Sequence, residues 1–385
     1  MNRRALLAVL CSCLLLVGTA ATSAATAAQE IASDRVAEIE SMLREKMRDA
    51  QIPGLSAAIA IDGRLAWANG YGLADIENSV PAATETAYRS ASIGKPMTAT
   101  AVMQLVERGL LDLDAPVQEY CPAFPEKRWP LTTRHLLTHT GGIRHYGGPR
   151  HEEELYSAVH YENVVDALEI FAEDPLMFEP GTGYLYSTYG YNVLGCVIDG
   201  ASGEAYLDYM AAHVFGPAGM TSTRDDDPLA IIPWRAGGYR LLPTGELANA
   251  RHVDMSNKMP AGGFVTTATD LVRFGSAVRD GTLVEEATFA RMIEPAPTSH
   301  GEVLDYGFGW GVFPDELWYG EREAFHGGGT PGVSGLLYLL PGRRFAVAIL
   351  MNLEAVDDRV GLAAQIARVA LALDEDDPGS KDGRD

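Results

Sequence analysis

Ser92, Ile93, Gly94 and Lys95 set a hydroxyl and an amine three residues apart. A serine hydroxyl is a weak nucleophile until a base takes its proton. A lysine one turn away can be that base when desolvation or a cationic setting lowers its pKa. The spacing alone is a weak signal, because a capping serine beside a surface lysine produces it too. Tyr186, followed by Ser187 and Thr188, supplies a phenol able to relay a proton between nucleophile and leaving group. His326 and the three glycines after it precede a strand-forming stretch, and so little side chain lets a backbone approach a ligand closely. A backbone N–H there could join that of Ser92 in holding an oxyanion, with each such donor worth about two to three decades in rate.

Other candidates are weaker. His135 and His139 are spaced for one helical face and could ligate a metal, but no H-E-x-x-H run and no third ligand accompany them. Outside the N-terminal segment two cysteines remain, Cys121 and Cys196. One pair is no disulfide framework, and Cys196 lies in an apolar helical run where it reads as a small core residue. Nothing in the sequence brings Cys121 to it. There is no G-x-S-x-G elbow, P-loop or dinucleotide fingerprint.

The elements that must position these groups follow from periodicity. Ser33 is placed to cap a helix carrying Val36, Ile39, Leu43 and Met47 on one face. Leu55–Ile61 and Arg64–Ala68 read as strands joined by the Asp62-Gly63 hairpin turn. A helix is expected from Ser92 to Glu107, with Pro96 tolerated in its first turn and Gly109 closing it. That puts Ser92 at the positive end of a helix dipole, with Lys95 on the same face. Helices are also expected over Glu162–Ala172, Tyr191–Asp199 and Tyr206–Val214, and one capped by Thr269 through Phe274 and Val278. Strands are expected near Gly262–Thr266, at Phe308–Phe313, and as a hairpin of Gly335–Leu340 with Phe345–Met351 across Pro341-Gly342, followed by a helix over Arg359–Leu373. Strands at both ends can pair into one antiparallel sheet with helices packed on it, an α+β arrangement. The sheet-bearing part is read as about 33–91 and 262–373, with a helical lobe of about 92–261 inserted, all within a domain of 29–373.

Composition narrows the function. The 385 residues are 47% hydrophobic and 21% charged, which suits a folded chain with a sizeable core. The formal net charge of −22 repels phosphate backbones, so nucleic acid is disfavoured as a partner. Arg3 and Arg4, the apolar run Ala5–Gly18 and the small residues Thr19–Ala28 follow the order of a secretory signal peptide, with Ala25-Thr26-Ala27 as the cleavage site. Residues 1–28 are therefore read as a signal, and the mature chain as exported to a periplasmic or extracellular space; a retained anchor is the alternative. No later stretch is long and apolar enough to span a bilayer. Residues 374–385 read as a solvated acidic tail.

The joint order of S-x-x-K at a helix start, Y-S-x, and H-x-G before a late strand resembles the serine β-lactamase and DD-peptidase superfamily. The likeness is to its class C and esterase-like branch, and within that to the mitochondrial serine β-lactamase-like group. Leu136–Gly142, Gly142–Tyr146, Phe215–Met220, Ala261–Phe264 with Asp270 and Leu271, and His326–Gly332 echo it. The resemblance runs from about Ser33 to Leu373 and implies a β-lactamase/transpeptidase-like fold with the active site between sheet and lobe. It implies that Ser92 attacks an amide or ester carbonyl of a small-molecule or peptide substrate, with Lys95, Tyr186 or both as base. Ser92 and Gly329 would hold the oxyanion beside Gly328, and His326 would orient substrate or polarise Tyr186. No metal or organic cofactor is implied. Thr188 stands where class C has asparagine, and His326 where it has lysine. A shorter hydroxyl and a mostly neutral ring weaken recognition of a β-lactam's amide and carboxylate. A non-catalytic or filament-forming scaffold and a transacylase are the alternatives, and oligomeric state is left open.

Overall fold

The computed structural model describes residues 30–313 and 320–373. The expected signal peptide and acidic tail lie outside the described residues. The first helix, α1 (Ser33–Asp49), leads into strands β1 (Gly54–Ile61), β2 (Arg64–Asp75) and β3 (Val80–Pro81). Strands β4 (Ala324–Thr330), β5 (Val333–Leu340) and β6 (Phe345–Met351) come from the other end of the chain. Together they form one antiparallel sheet in the order β3-β2-β1-β6-β5-β4.

Period-two alternation decides what each face of the sheet holds. Leu55, Ala57, Ile59 and Ile61 of β1, with Phe345, Val347 and Ile349 of β6, share a core with Ile39 and Leu43 of α1 and with Leu362 and Ile366 of α5 (Arg359–Leu371). The intervening Ala58, Ala60, Ala346 and Ala348 face the other core, where Leu271, Phe274 and Val278 of α4 (Ala268–Arg279) pack. Small residues on that face let a helix sit close to the sheet. The Asp62-Gly63 turn has φ of +52° and +75°, the pair of left-handed residues that a tight hairpin with the native strand twist requires.

Between the two halves of the sheet the chain builds α2 (Gly94–Glu107) and α3 (Thr188–Ser202), separated and followed by short helical turns. Both helices are buried along almost their whole length. A disulfide joins Cys121 to Cys196 of α3, with Cα atoms 5.3 Å apart across 75 residues of sequence. Cys196 is buried in the core, as its apolar run suggests, and the pairing with Cys121 that the sequence left open is made. Among the described residues no helix is long and apolar enough to cross a membrane.

Several local expectations shift. Ser33 is the first helical residue of α1, and the capping position falls on Ala32 with no side-chain bond. Thr267, not Thr269, caps α4; its extended backbone lets the side chain accept from the Asp270 N–H at 3.1 Å. Glu162–Ala172 yields only a short turn over Asp166–Ile170. There the Asn163 carboxamide takes the backbone N–H groups of Val165 and Asp166, competing with helix bonding. The Tyr206–Val214 helix is Tyr206–Tyr209 running into a wider π turn, Met210–Phe215. Phe308–Phe313 is no strand: Gly309, at φ +82°, breaks the extended backbone, and only isolated bridges of Gly311 to Tyr306 and Phe325 form.

Candidate active site

Ser92 occupies a tight turn, Ala91–Ile93, that runs directly into α2 at Gly94. Two close backbone approaches fix this turn. A Cβ on Gly262 would lie 1.8 Å from the Ala91 carbonyl oxygen, so only glycine lets the 259–263 segment sit under it. A Cβ on Gly328 would lie 2.5 Å from the Ser90 carbonyl oxygen, so glycine there brings the edge strand β4 against the same turn. Ser92, at the start of the chain's central helix, is thus held beside a strand formed more than 230 residues later.

Lys95 lies one turn along, fully buried. Its Nζ is 3.0 Å from Ser92 Oγ and 3.4 Å from the Ala261 carbonyl oxygen. The ring centres of Tyr186 and Tyr191 are 4.7 and 5.5 Å from the same nitrogen. Loss of solvent lowers its pKa to about 7. An amine so placed is about half unprotonated at pH 7, which a solvated lysine is not. Tyr186 enters from the segment before α3, and Ser187 caps that helix by accepting from the Gly190 N–H at 3.0 Å. Burial pushes its phenol pKa up, while polar contact with Ser92 pulls the other way. The resting tyrosine is therefore a neutral phenol facing the nucleophile.

His326 sits on β4, paired with Leu337 of β5. Its Nδ1 is 2.7 Å from the Gly327 carbonyl oxygen and its Nε2 2.9 Å from the Tyr306 hydroxyl. A carbonyl can only accept, so Nδ1 carries the proton and Nε2 accepts from Tyr306. Burial, with the charges of Lys95 and Arg359 near it, holds its pKa at about 3. His326 is a neutral ring whose centre is 6.4 Å from that of Tyr186, and both nitrogens are engaged elsewhere. Gly329 is exposed, with open space where a Cβ would be, and lines one cleft with Ser92, Thr188, Tyr146, Lys258 and Thr330. Thr188 is buried; its N–H donates to His145 Nδ1 at 3.1 Å, and its side chain makes polar contact with the Tyr146 phenol.

The structure thus brings Ser92, Lys95, Tyr186, Thr188, His326, Gly328 and Gly329 to one place. It also adds groups that sequence reasoning did not place in this site. His139, weighed as a metal ligand, is buried behind Tyr186 with ring centres 4.4 Å apart, and its Nδ1 accepts from the Ser187 N–H at 3.2 Å. Its backbone is left-handed, at φ +58°. His135 instead turns its Nδ1 to Thr132, so the two histidines share no site. Among the described residues no group of His, Cys, Asp and Glu is placed to hold a metal. Tyr306 and Lys258 carried no sequence signal: each is a single residue outside any motif. Tyr146 stood inside a motif-like run, which was the one available clue.

A serine–lysine pair at a helix start, a phenol above it and a glycine-rich edge strand beside it are the groups that serine acyl transfer requires, set on a sheet-and-helix fold. The chain belongs to the beta-lactamase family, whose model matches residues 39–371, and so to a superfamily of serine hydrolases. It is similar to the serine beta-lactamase-like protein LACTB, mitochondrial, of Mus musculus, at 31% identity over 84% of this chain and 77% of that protein. It also resembles the esterase EstB of Burkholderia gladioli, 34% identical over 52% of this chain and 54% of that enzyme. Among solved structures, the octameric penicillin-binding protein homologue from Pyrococcus abyssi superposes with a TM-score of 0.76 at 27% identity, covering 89% of this chain and 79% of that one.

Proposed function

We propose that the chain is an exported hydrolase that cleaves an amide or ester through an acyl-enzyme on Ser92. The observation that carries this reading is the 3.0 Å contact between Ser92 Oγ and a desolvated Lys95 amine with a pKa of about 7. In this reading Lys95 takes the Ser92 proton as the hydroxyl oxygen bonds to the substrate carbonyl carbon. The N–H groups of Ser92 and Gly329 hold the oxyanion. The Tyr186 phenol, kept protonated by its surroundings, passes a proton to the departing oxygen or nitrogen and recovers one by way of Lys95. Water then attacks the ester on Ser92 by the same route in reverse, releasing the acid. His326, neutral and bonded to Tyr306, positions the wall of the pocket rather than exchanging a proton with Tyr186. The Cys121–Cys196 disulfide supports export, because such bonds persist in oxidising compartments.

The test is labelling with a fluorophosphonate followed by intact mass, together with turnover of p-nitrophenyl esters. Both are expected in the wild type and neither in Ser92→Ala. An adduct that survives Ser92→Ala, or a wild type inert to every acylating probe, overturns the reading. Recovery of the processed chain outside the cytoplasm, with a new N-terminus near Ala27 or Ala28, tests the export assignment.

A further inference from the structure

One wall of the Ser92 cleft carries a cation that the acyl-transfer reading does not use. Lys258 is 5% exposed, yet it lines the cleft together with Ser92, Tyr146, Thr188 and Gly329. Its ammonium donates to the Leu155 carbonyl oxygen at 3.0 Å and stands 5.4 Å from the Tyr146 ring centre. An ammonium has three N–H donors. Among the described residues no carboxylate forms an ion pair with it. Asp254, the acidic group whose charge it feels, is already committed to the Ser256 N–H at 2.8 Å and to His160 at 2.9 Å. Arg89 adds a second positive charge nearby while bonded to Asp226 at 2.6 Å.

A cation taken out of water without a counter-charge is costly, and buried charges are ordinarily paired. This one stays partly in reach of the cleft, in a protein whose formal net charge is −22. Burial brings its pKa to about 8, so it is mostly charged at neutral pH. Thr188, the neighbouring side chain, offers no amide to a substrate and is in contact with Tyr146. Of the described residues lining this cleft, Lys258 alone carries a formal charge.

We propose that Lys258 binds a carboxylate of the substrate, so that the substrates turned over best carry an anionic group on a short arm from the carbonyl that Ser92 attacks. The proposal rests on the acyl-enzyme reading and names its substrate class. The arm can belong to the acyl part or to the leaving group, and two matched pairs separate these. The first is p-nitrophenyl valerate against the p-nitrophenyl monoester of glutaric acid. The second is phenyl butyrate against 3-carboxyphenyl butyrate.

In one pair the anionic ester should show kcat/KM at least about tenfold above its neutral counterpart, the scale of a charge-assisted hydrogen bond. That ratio should fall to about one or below in Lys258→Met, whatever the absolute rate, and survive in part in Lys258→Arg. Lys258→Gln, which keeps a donor for the Leu155 carbonyl, replaces Lys258→Met if the latter does not fold; fluorophosphonate labelling of Ser92 confirms an intact site in each. Neutral esters favoured or equal in both pairs overturn the proposal, as does a preference that persists in a labelled Lys258→Met or Lys258→Gln protein. No turnover of any ester together with an unlabelled Ser92 in the wild type overturns the acyl-enzyme reading itself, and is a different result.

Discussion

The charge state of Lys95 can be read from the pH dependence of acylation. The amine is fully buried, its pKa is lowered to about 7 by desolvation, and its hydrogen-bonding contacts are to a hydroxyl and a carbonyl, not a carboxylate. The pH dependence of kcat/KM reports ionisations of the free enzyme. An acid limb with an apparent pKa of about 7 is therefore expected. With that value about half of the enzyme holds the free amine at pH 7 and roughly 3% at pH 5.5, so the rate falls about tenfold per unit below pH 6. His326 cannot supply this limb, because burial and the charges of Lys95 and Arg359 hold its pKa at about 3.

The assay is timed quenching of fluorophosphonate labelling with the Ser92 adduct counted by intact mass, which does not depend on the ionisation of a chromophore. His326→Gln should lower the rate while leaving the limb in place. Lys95→Ala should abolish the limb and cost about 10² to 10⁴ in rate, the usual contribution of a positioned base. A limb that disappears in His326→Gln, or one that persists with near wild-type rate in Lys95→Ala, refutes the assignment of Lys95 as the base.

The same burial has a cost in stability. The folded pKa of Lys95 lies below its ordinary 10.5, so between about pH 7 and 10.5 the unfolded chain binds the proton and the folded one does not. The destabilisation is full below pH 7 and relieved as pH rises toward 10.5. At pH 7 it amounts to about 4 kcal/mol before the hydrogen bonds to Ser92 and Ala261 are set against it. Lys95→Met should thus raise the urea midpoint at pH 7, by an amount that shrinks toward pH 10, while abolishing acylation; an unchanged or lower midpoint counts against the desolvation argument. Cys121→Ser with Cys196→Ser opens a 75-residue loop and should cost about 4 kcal/mol by chain entropy, seen as a lower midpoint that reductant reproduces in the wild type. Gly328→Ala should sharply reduce labelling of Ser92, since its Cβ meets the Ser90 carbonyl, whereas Gly329→Ala has open space and should label at close to the wild-type rate; the reverse order would refute the packing of β4 against the Ser92 turn.

Much of the fold could be read because its signals are local. Asp62-Gly63 between two apolar runs forms the hairpin it suggests, and Phe345–Met351 is a strand over the stated residues. Serine and lysine three residues apart need only one turn of helix to meet. Caps were harder: Ala32, Ser33, Thr267 and Thr269 compete within a turn, and the choice depends on which residue the backbone leaves extended. Phe308–Phe313 has strand composition, but Gly309 takes a left-handed conformation set by packing against Lys95 and Ala99. Cys121 and Cys196 meet only because the chain between them folds back, and that closure leaves no mark on spacing.

The active site divides along the same line. Its reacting atoms come from motifs, while their chemical state comes from residues far along the chain. The pair Ser92 and Lys95 would be inert on a solvated helix, since an exposed amine keeps its proton at neutral pH. What lowers the Lys95 pKa is enclosure, by Tyr186 and Tyr191, about a hundred residues on, and by Ala261, 166 residues on. Tyr186 and Ala261 stand in motif runs, but no spacing in the sequence shows that any of the three encloses Lys95. Lys258 is the extreme case, a single lysine given meaning only by the Leu155 carbonyl, the Tyr146 ring and, among the described residues, the lack of a carboxylate ion-paired with it. A sequence names the groups that can react; the protonation they hold is a property of everything packed around them, and the two lysines of this cleft differ for that reason alone.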